Sequence, residues 1–240
     1  MTGLVYQGSE LELFAEADQW KRYFASQLRR WVGSRVLEVG AGLGGTTTRL
    51  CDGSQQEWLC LEPDVELHAE LSRRRSAGLL PACCTTRNGT LEDLAEAAAF
   101  DTVLYIDVLE HIEDDAAEFR RAGRLLEPGG CLIVLSPAHP ALFSPFDAHV
   151  GHFRRYDRAS LSSLTAPGLN REAIFHLDSV GYGLSLANRL ALRQQLPTKR
   201  QIAFWDRVIV PLSRVVDRLT FHRFGRSVVG VWRKAATEPR

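Results

Sequence analysis

The chain has no net charge. Its 29 lysines and arginines are matched by 29 aspartates and glutamates over 240 residues, so no overall field draws the molecule to nucleic acid. No separate basic, aromatic-rich segment offers a nucleic-acid-binding domain either. The five cysteines, Cys51, Cys60, Cys83, Cys84 and Cys131, form no C-x-x-C pair and fall largely in apolar runs. An odd count of this kind reads as packed thiols in a reducing compartment. No apolar stretch reaches the length of a membrane span, and Met1 to Glu10 lacks the charged-then-apolar pattern of a secretory signal. The expectation is a cytoplasmic protein. There is no internal repeat and no low-complexity tract.

What is present is 45% hydrophobic and 24% charged, enough for one large core and too little for two comfortable domains. The charge balance is uneven along the chain. From Arg189 onward there are twelve Lys or Arg against three Asp or Glu, so the tail is basic. Strand-like apolar runs are predicted at 35–39, 57–61, 79–84, 102–106, 131–135, 172–177 and 227–232, most of them separated by helical patterns. Such alternation, with right-handed crossovers, gives a parallel sheet covered on both faces, with ligand at the carboxyl ends of the strands.

The most specific local signal is Val36-Leu37-Glu38-Val39-Gly40-Ala41-Gly42-Leu43-Gly44, a short strand running into three alternate glycines. Without Cβ atoms such a turn lets main chain approach a nucleoside cofactor closely. Gly40, Gly42 and Gly45 also satisfy the weaker G-x-G-x-x-G of a dinucleotide fold. Glu38 favours a different ligand, because a carboxylate there would repel a pyrophosphate but can hold an ammonium group through a water or a main-chain amide. That points to S-adenosyl-L-methionine. Glu62, ending the run Trp58 to Leu61, can accept ribose hydroxyls of either cofactor.

With Asp107-Val108-Leu109-Glu110-His111 after the fourth strand, and Leu126-Glu127-Pro128-Gly129-Gly130 before the fifth, the chain resembles the class I S-adenosylmethionine-dependent methyltransferases over residues 35 to 180. The resemblance implies a Rossmann-like α/β fold: seven strands, mostly parallel, helices on both faces and an antiparallel last strand. It implies a single domain over 1–240, with a helical cap at 1–34, a cofactor-binding core at 35–180, a helical insertion or lid at 181–225, and the last strand and tail at 226–240. It further implies that Glu38, Gly40, Ala41, Gly42 and Gly44 hold the methionine part, that Glu62 with Pro63 holds the ribose, and that Thr90 and Leu91 flank the adenine. The family often has Asp where this chain has Thr90, whose hydroxyl would make an uncharged, weaker contact. Asp107, at a strand's carboxyl end, is expected near the cofactor through its main chain.

Candidate chemistry follows the fourth and fifth strands. His111 reads as a general base near neutral pH or as a packing residue on the opening turn of a helix. The long segment from Ser136 to Asp157 is rich in Pro, His, Arg and aromatics and leaves the sheet where the methyl group is expected. Within it His152, Arg155 and Tyr156 of Gly-His-Phe-Arg-Arg-Tyr are candidates to orient an acceptor. A simpler reading pairs Asp147 or Asp157 with Arg154 or Arg155. Asp147, His149 and His152 could also close on a metal ion, but no fourth ligand stands at a recognisable spacing and no metal is expected.

Before the first strand, Glu10 to Trp31 reads as a helix whose Trp20 or Tyr23 walls the site or packs on the sheet. In the insertion, Ile202, Trp205, Val208, Ile209, Leu212, Val215, Val216 and Leu219 recur at helical steps, with a kink or restart near Pro211. That helix reads as a lid or dimer contact, or, with its arginines, as a peripheral membrane contact through 201–223. The acceptor expected is a small or lipid-linked molecule. The competing classes are a nicotinamide-dependent oxidoreductase and a non-catalytic cofactor-binding module.

Overall fold

The computed structural model describes residues 17–94, 100–189 and 198–236. The first part of the helix expected from Glu10, with Leu13, lies outside the described residues. Helix α1 (Asp18–Leu28) leads through a short 3₁₀ turn into β1 (Arg35–Val39). There follow α2 (Thr47–Leu50), β2 (Glu57–Glu62), α3 (Val65–Ser76), β3 (Cys84–Asn88) and β4 (Phe100–Ile106). Then come α4 (Asp115–Leu125), β5 (Leu126–Pro137), α5 (Pro145–His149), α6 (Arg158–Ser163), β6 (Leu169–Leu177) and α7 (Ser179–Ala187). Helices α8 (Lys199–Phe204) and α9 (Val210–Leu219) precede β7 (Ser227–Lys234).

The sheet runs β3-β2-β1-β4-β5-β7-β6. Its first five members pair in parallel, and β7 lies antiparallel between β5 and β6. This is the Rossmann-like arrangement expected, with the last strand reversed. Two apolar clusters cover the two faces. One joins Trp20, Phe24, Trp58, Leu104 and Ile133; the other joins Leu37, Val103, Phe119, Leu132 and Trp232. Because successive residues of β1 and β4 go to opposite clusters, Val36-Leu37 in β1 and Val103 to Ile106 in β4 are continuous apolar runs, which is why these strands were legible.

The third strand corrects the sequence reading. It occupies Cys84–Asn88, not 79–84. It pairs only with β2, so its outer edge and much of its surface are wet and Thr85, Arg87 and Asn88 suffice there. The apolar Leu79 that suggested a strand is exposed in the preceding turn.

The insertion is tied to the cap by its two acids. Asp206 accepts from the main-chain N–H of Trp20 at 2.8 Å, and Asp217 accepts from the Tyr23 hydroxyl at 2.6 Å and from Asp178 N and Ser179 N at 2.8 and 2.9 Å. Between α8 and α9 the chain makes a π-helical turn, Trp205–Ile209. Pro211, in the first turn of α9, lacks the N–H that would bond the Arg207 carbonyl, and the ladder widens just before it. The five cysteines are free thiols, and all but Cys83 are buried.

Candidate functional site

A cavity of about 410 Å³ opens at the carboxyl ends of β1, β4 and β5. That is within the usual range for a small-molecule site. Its floor is the glycine turn from Gly40 to Gly45, and its walls include Trp20, Asp107, Glu110, His111, Asp147, His152, Arg155, Trp205 and Arg226.

The turn can exist only with glycine. Gly40 and Gly42 have φ of 65° and 54°, and a Cβ on Gly40 would meet Val108 Cγ2 at 2.6 Å. Glu62, buried at the end of β2, fastens the turn by accepting from Gly42 N at 2.7 Å while also accepting from Asp64 N at 3.0 Å. Burial raises its pKa.

Glu38 does not reach the cavity wall. Its Oε2 accepts from Thr47 Oγ1 and from the Trp58 indole, each at 2.7 Å, and the side chain is sealed beneath the turn. Burial pushes its pKa up to about 7 against these hydrogen bonds. The carboxylate therefore braces α2 and β2 under the glycines. Glu62, Pro63, Thr90 and Leu91 also lie outside the cavity wall. Thr90 caps a short 3₁₀ turn: its hydroxyl accepts from Glu92 N, and the Asp93 carboxylate accepts from Thr90 N at 2.8 Å.

Asp107 ends β4 with φ of 54°, a left-handed conformation that Asp tolerates better than most residues. Its N–H donates to Leu135 O at 2.8 Å. Its side chain is exposed towards the cavity, yet desolvation by the surrounding protein raises its pKa to about 6, partly offset by His152 and Arg226. Glu110 is fully buried; Ser136 donates to its Oε2 at 2.8 Å and Oε1 has no partner. Burial holds its carboxyl well above the ordinary range.

The segment after β5 brings three of its candidates together. Ser144 and Asp147 form a capping box that starts α5, which fixes Asp147 inside the fold. There Asp147 Oδ1 receives His152 Nδ1 at 2.9 Å, while Arg155 donates to both carboxylate oxygens at 2.7 and 2.9 Å. Burial alone would raise the Asp147 pKa, but the bonds from His152 and Arg155 hold it well below the ordinary carboxylate range. With Nδ1 as the donor, His152 has its basic lone pair on Nε2. His111 stands edge-on to His152 with ring centroids 4.6 Å apart, in a 3₁₀ turn and not a helix, and burial lowers its pKa to about 4. Donor atoms of Glu110, His111 and His152 lie within 4.8 Å of one another.

Tyr156 departs from the expectation that it orients an acceptor. It is buried away from the cavity, and its hydroxyl donates to Asp115 Oδ2 at 2.6 Å. Arg155 does reach the wall, with its donors largely committed to Asp147. Of the expected cap aromatics Trp20 lines the cavity, whereas Tyr23 is spent on Asp217. The sequence reading missed Glu110, Trp205 and Arg226. The Arg226 guanidinium lies 4.8 Å from the Trp205 ring centre, and burial lowers its pKa. Nothing local marks it among the arginines of the basic tail.

Residues 37–132 match the family described as a methyltransferase domain. Among curated proteins, a ubiquinone biosynthesis O-methyltransferase of Azorhizobium caulinodans is 33% identical over 112 residues, which cover 46% of this chain and 43% of the relative. A demethylmenaquinone methyltransferase of Tropheryma whipplei is 27% identical, covering 55% and 54%. The chain thus spans about half the length of the curated relatives it matches. Among solved structures, the [4+2]-cyclase SpnF superposes with a TM-score of 0.63 at 18% identity, covering 90% of this chain and 81% of that one. A protein described as a sarcosine dimethylglycine methyltransferase of Galdieria sulphuraria gives 0.60 at 18%, covering 92% and 85%. At such identity these structures establish the fold, and the cyclase illustrates that the fold carries more than one chemistry.

Proposed function

We propose, from the match of residues 37–132 to a methyltransferase domain family, that the chain is a methyltransferase of the class I, S-adenosylmethionine-dependent kind and moves a methyl group from S-adenosyl-L-methionine to a small-molecule acceptor, with His152 as the base. The observation that carries this reading is that the Asp147-held imidazole and the glycine turn wall the same cavity. The turn fits the cofactor because positive φ at Gly40, Gly42 and Gly44 bends the main chain along the cavity floor with no side chain of these residues in the way. Gly40 to Gly44 and the main chain of Asp107 would hold the methionine part. Glu62, whose oxygens each retain a lone pair beyond their main-chain bonds, would take the ribose beside Pro63. Thr90 and Leu91 would flank the adenine.

When bound, the cofactor supplies an electrophilic methyl on a sulfonium. The chain supplies position and a proton acceptor. Holding the acceptor in line accounts for about 7 to 11 kcal/mol of a barrier of this kind, and a base for roughly 3 to 5. Asp147 keeps His152 in the tautomer whose Nε2 takes the acceptor's proton, and then stabilises the imidazolium. By analogy with the ubiquinone biosynthesis O-methyltransferase and demethylmenaquinone methyltransferase relatives, the acceptor is a quinone-type small molecule, methylated on oxygen if it follows the former. An activity test would follow S-adenosylhomocysteine release over a panel of hydroxylated quinols. Titration with S-adenosylhomocysteine and with NAD separates this reading from an oxidoreductase, and cofactor binding without turnover on any acceptor would leave a binding module.

A further inference from the structure

The outward side of the insertion is not an ordinary charged face. Phe204, Val208, Leu212, Val215 and Leu219 follow one another at steps of four, four, three and four residues, and every one is exposed, Val215 by 58% and Leu219 by 73%. Phe221, 79% exposed, and Phe224 extend this stripe beyond the end of α9. Seven large exposed apolar side chains within the 21 residues from Phe204 to Phe224 form a surface that a monomeric soluble protein rarely shows.

The charges of the same segment are sorted by sign. Asp206 and Asp217, its two acids from Lys199 to Phe224, are both buried and hold the cap and α7. Lys199, Arg200, Arg207, Arg218 and Arg223 are all exposed. What the segment shows to the outside is therefore apolar and cationic, with no anion. A second copy of this face would bring its own cations against these, whereas a bilayer with anionic headgroups satisfies both features at once.

We infer that the segment from Phe204 to Phe224 docks on the surface of an anionic lipid bilayer, its apolar stripe entering the headgroup boundary and its cations meeting lipid phosphates. No described helix is long and apolar enough to cross a membrane, so the contact is peripheral. Trp205, on the inward side of the same element, lines the cavity. The docked face and the site are thus about one helix diameter, roughly 10 Å, apart.

The test is flotation of the whole chain with vesicles of phosphatidylcholine alone and of phosphatidylcholine with phosphatidylglycerol, at low salt and at ~0.5 M salt, where the Debye length falls to a few ångströms. Binding is expected only with the anionic vesicles and should weaken with salt. A Val208→Glu, Leu212→Glu, Val215→Glu variant should lose it with an unchanged melting temperature. Arg207→Ser, Arg218→Ser and Arg223→Ser, which leave the helix intact, should each weaken it about fivefold. Failure to bind anionic vesicles overturns the inference, as does binding that survives both sets of substitutions. A concentration-dependent dimer, dissolved by the glutamate variant and found in place of vesicle binding, would assign the face to a second copy instead.

Discussion

One carboxylate serves two donors in the candidate site: Asp147 receives His152 Nδ1 at 2.9 Å and, on both oxygens, Arg155 at 2.7 and 2.9 Å. The two contacts have separable consequences. The Arg155 pair is nearly buried, and unpairing such a pair costs about 3 to 5 kcal/mol. The His152 bond orients a base. We expect His152→Gln to lower kcat/KM by about 10² to 10⁴ with cofactor affinity and melting temperature nearly unchanged. Asp147→Asn should lower both turnover and melting temperature. Full activity in His152→Gln would remove this imidazole from the chemistry.

Tyr156 supplies the contrast. Its hydroxyl ends on Asp115, outside the cavity, so it is a strut and not a partner of the acceptor. Tyr156→Phe leaves the buried ring and removes one hydrogen bond to a charged group, worth about 1.5 to 3 kcal/mol. At ~2 to 4 °C per kcal/mol for a chain of this size, the melting temperature should drop by roughly 3 to 12 °C. kcat/KM should stay within about twofold. A selective fall in turnover at constant melting temperature would restore the tyrosine to the acceptor site.

Glu62 connects the ribose position to the glycine turn through Gly42 N. Glu62→Ala removes a charged acceptor and frees the turn, so calorimetry should show S-adenosylhomocysteine binding weakened about tenfold to a hundredfold. Gly42→Val should be more severe, because a β-branched residue must adopt the φ of 54° that glycine holds without strain. Normal binding by folded Gly42→Val would move the cofactor away from this turn.

What the sequence disclosed and what it hid follow from range and burial. Strands such as β1 and β4, packed on both faces, carry the continuous apolar runs Val36-Leu37 and Val103 to Ile106 and could be read directly. β3 could not, since an edge strand facing water looks like a polar loop. The glycine turn was legible because its requirement is local and conformational. The Asp147–Arg155 pair spans eight residues and was within reach of inspection. Tyr156 was misread because Asp115, its partner, is 41 positions away. Arg226 faces the cavity only because β7 enters the sheet between β5 and β6, and no sequence pattern announces that insertion.

Glu38 was expected to face the ligand, and its burial gives it a different signature. Its pKa is pushed from 4.5 up to about 7 by desolvation beneath the turn. A folded-state pKa above the unfolded one means that the native protein binds more protons than the unfolded chain between about pH 4.5 and 7. The contribution of this group to stability is therefore full below pH 4.5 and is lost as the pH rises through 7, on the order of 3 kcal/mol in all. Glu38→Gln keeps the shape and the acceptor for Thr47 and Trp58 but does not titrate. Relative to the parent, the variant should be less stable or equal at pH 5 and should gain steadily up to pH 8, where it becomes the more stable of the two. Urea unfolding of both proteins across that interval measures the difference directly. A constant offset from pH 5 to 8 would mean that Glu38 titrates alike in the folded and unfolded states, and hence that it is not sealed under the glycine turn.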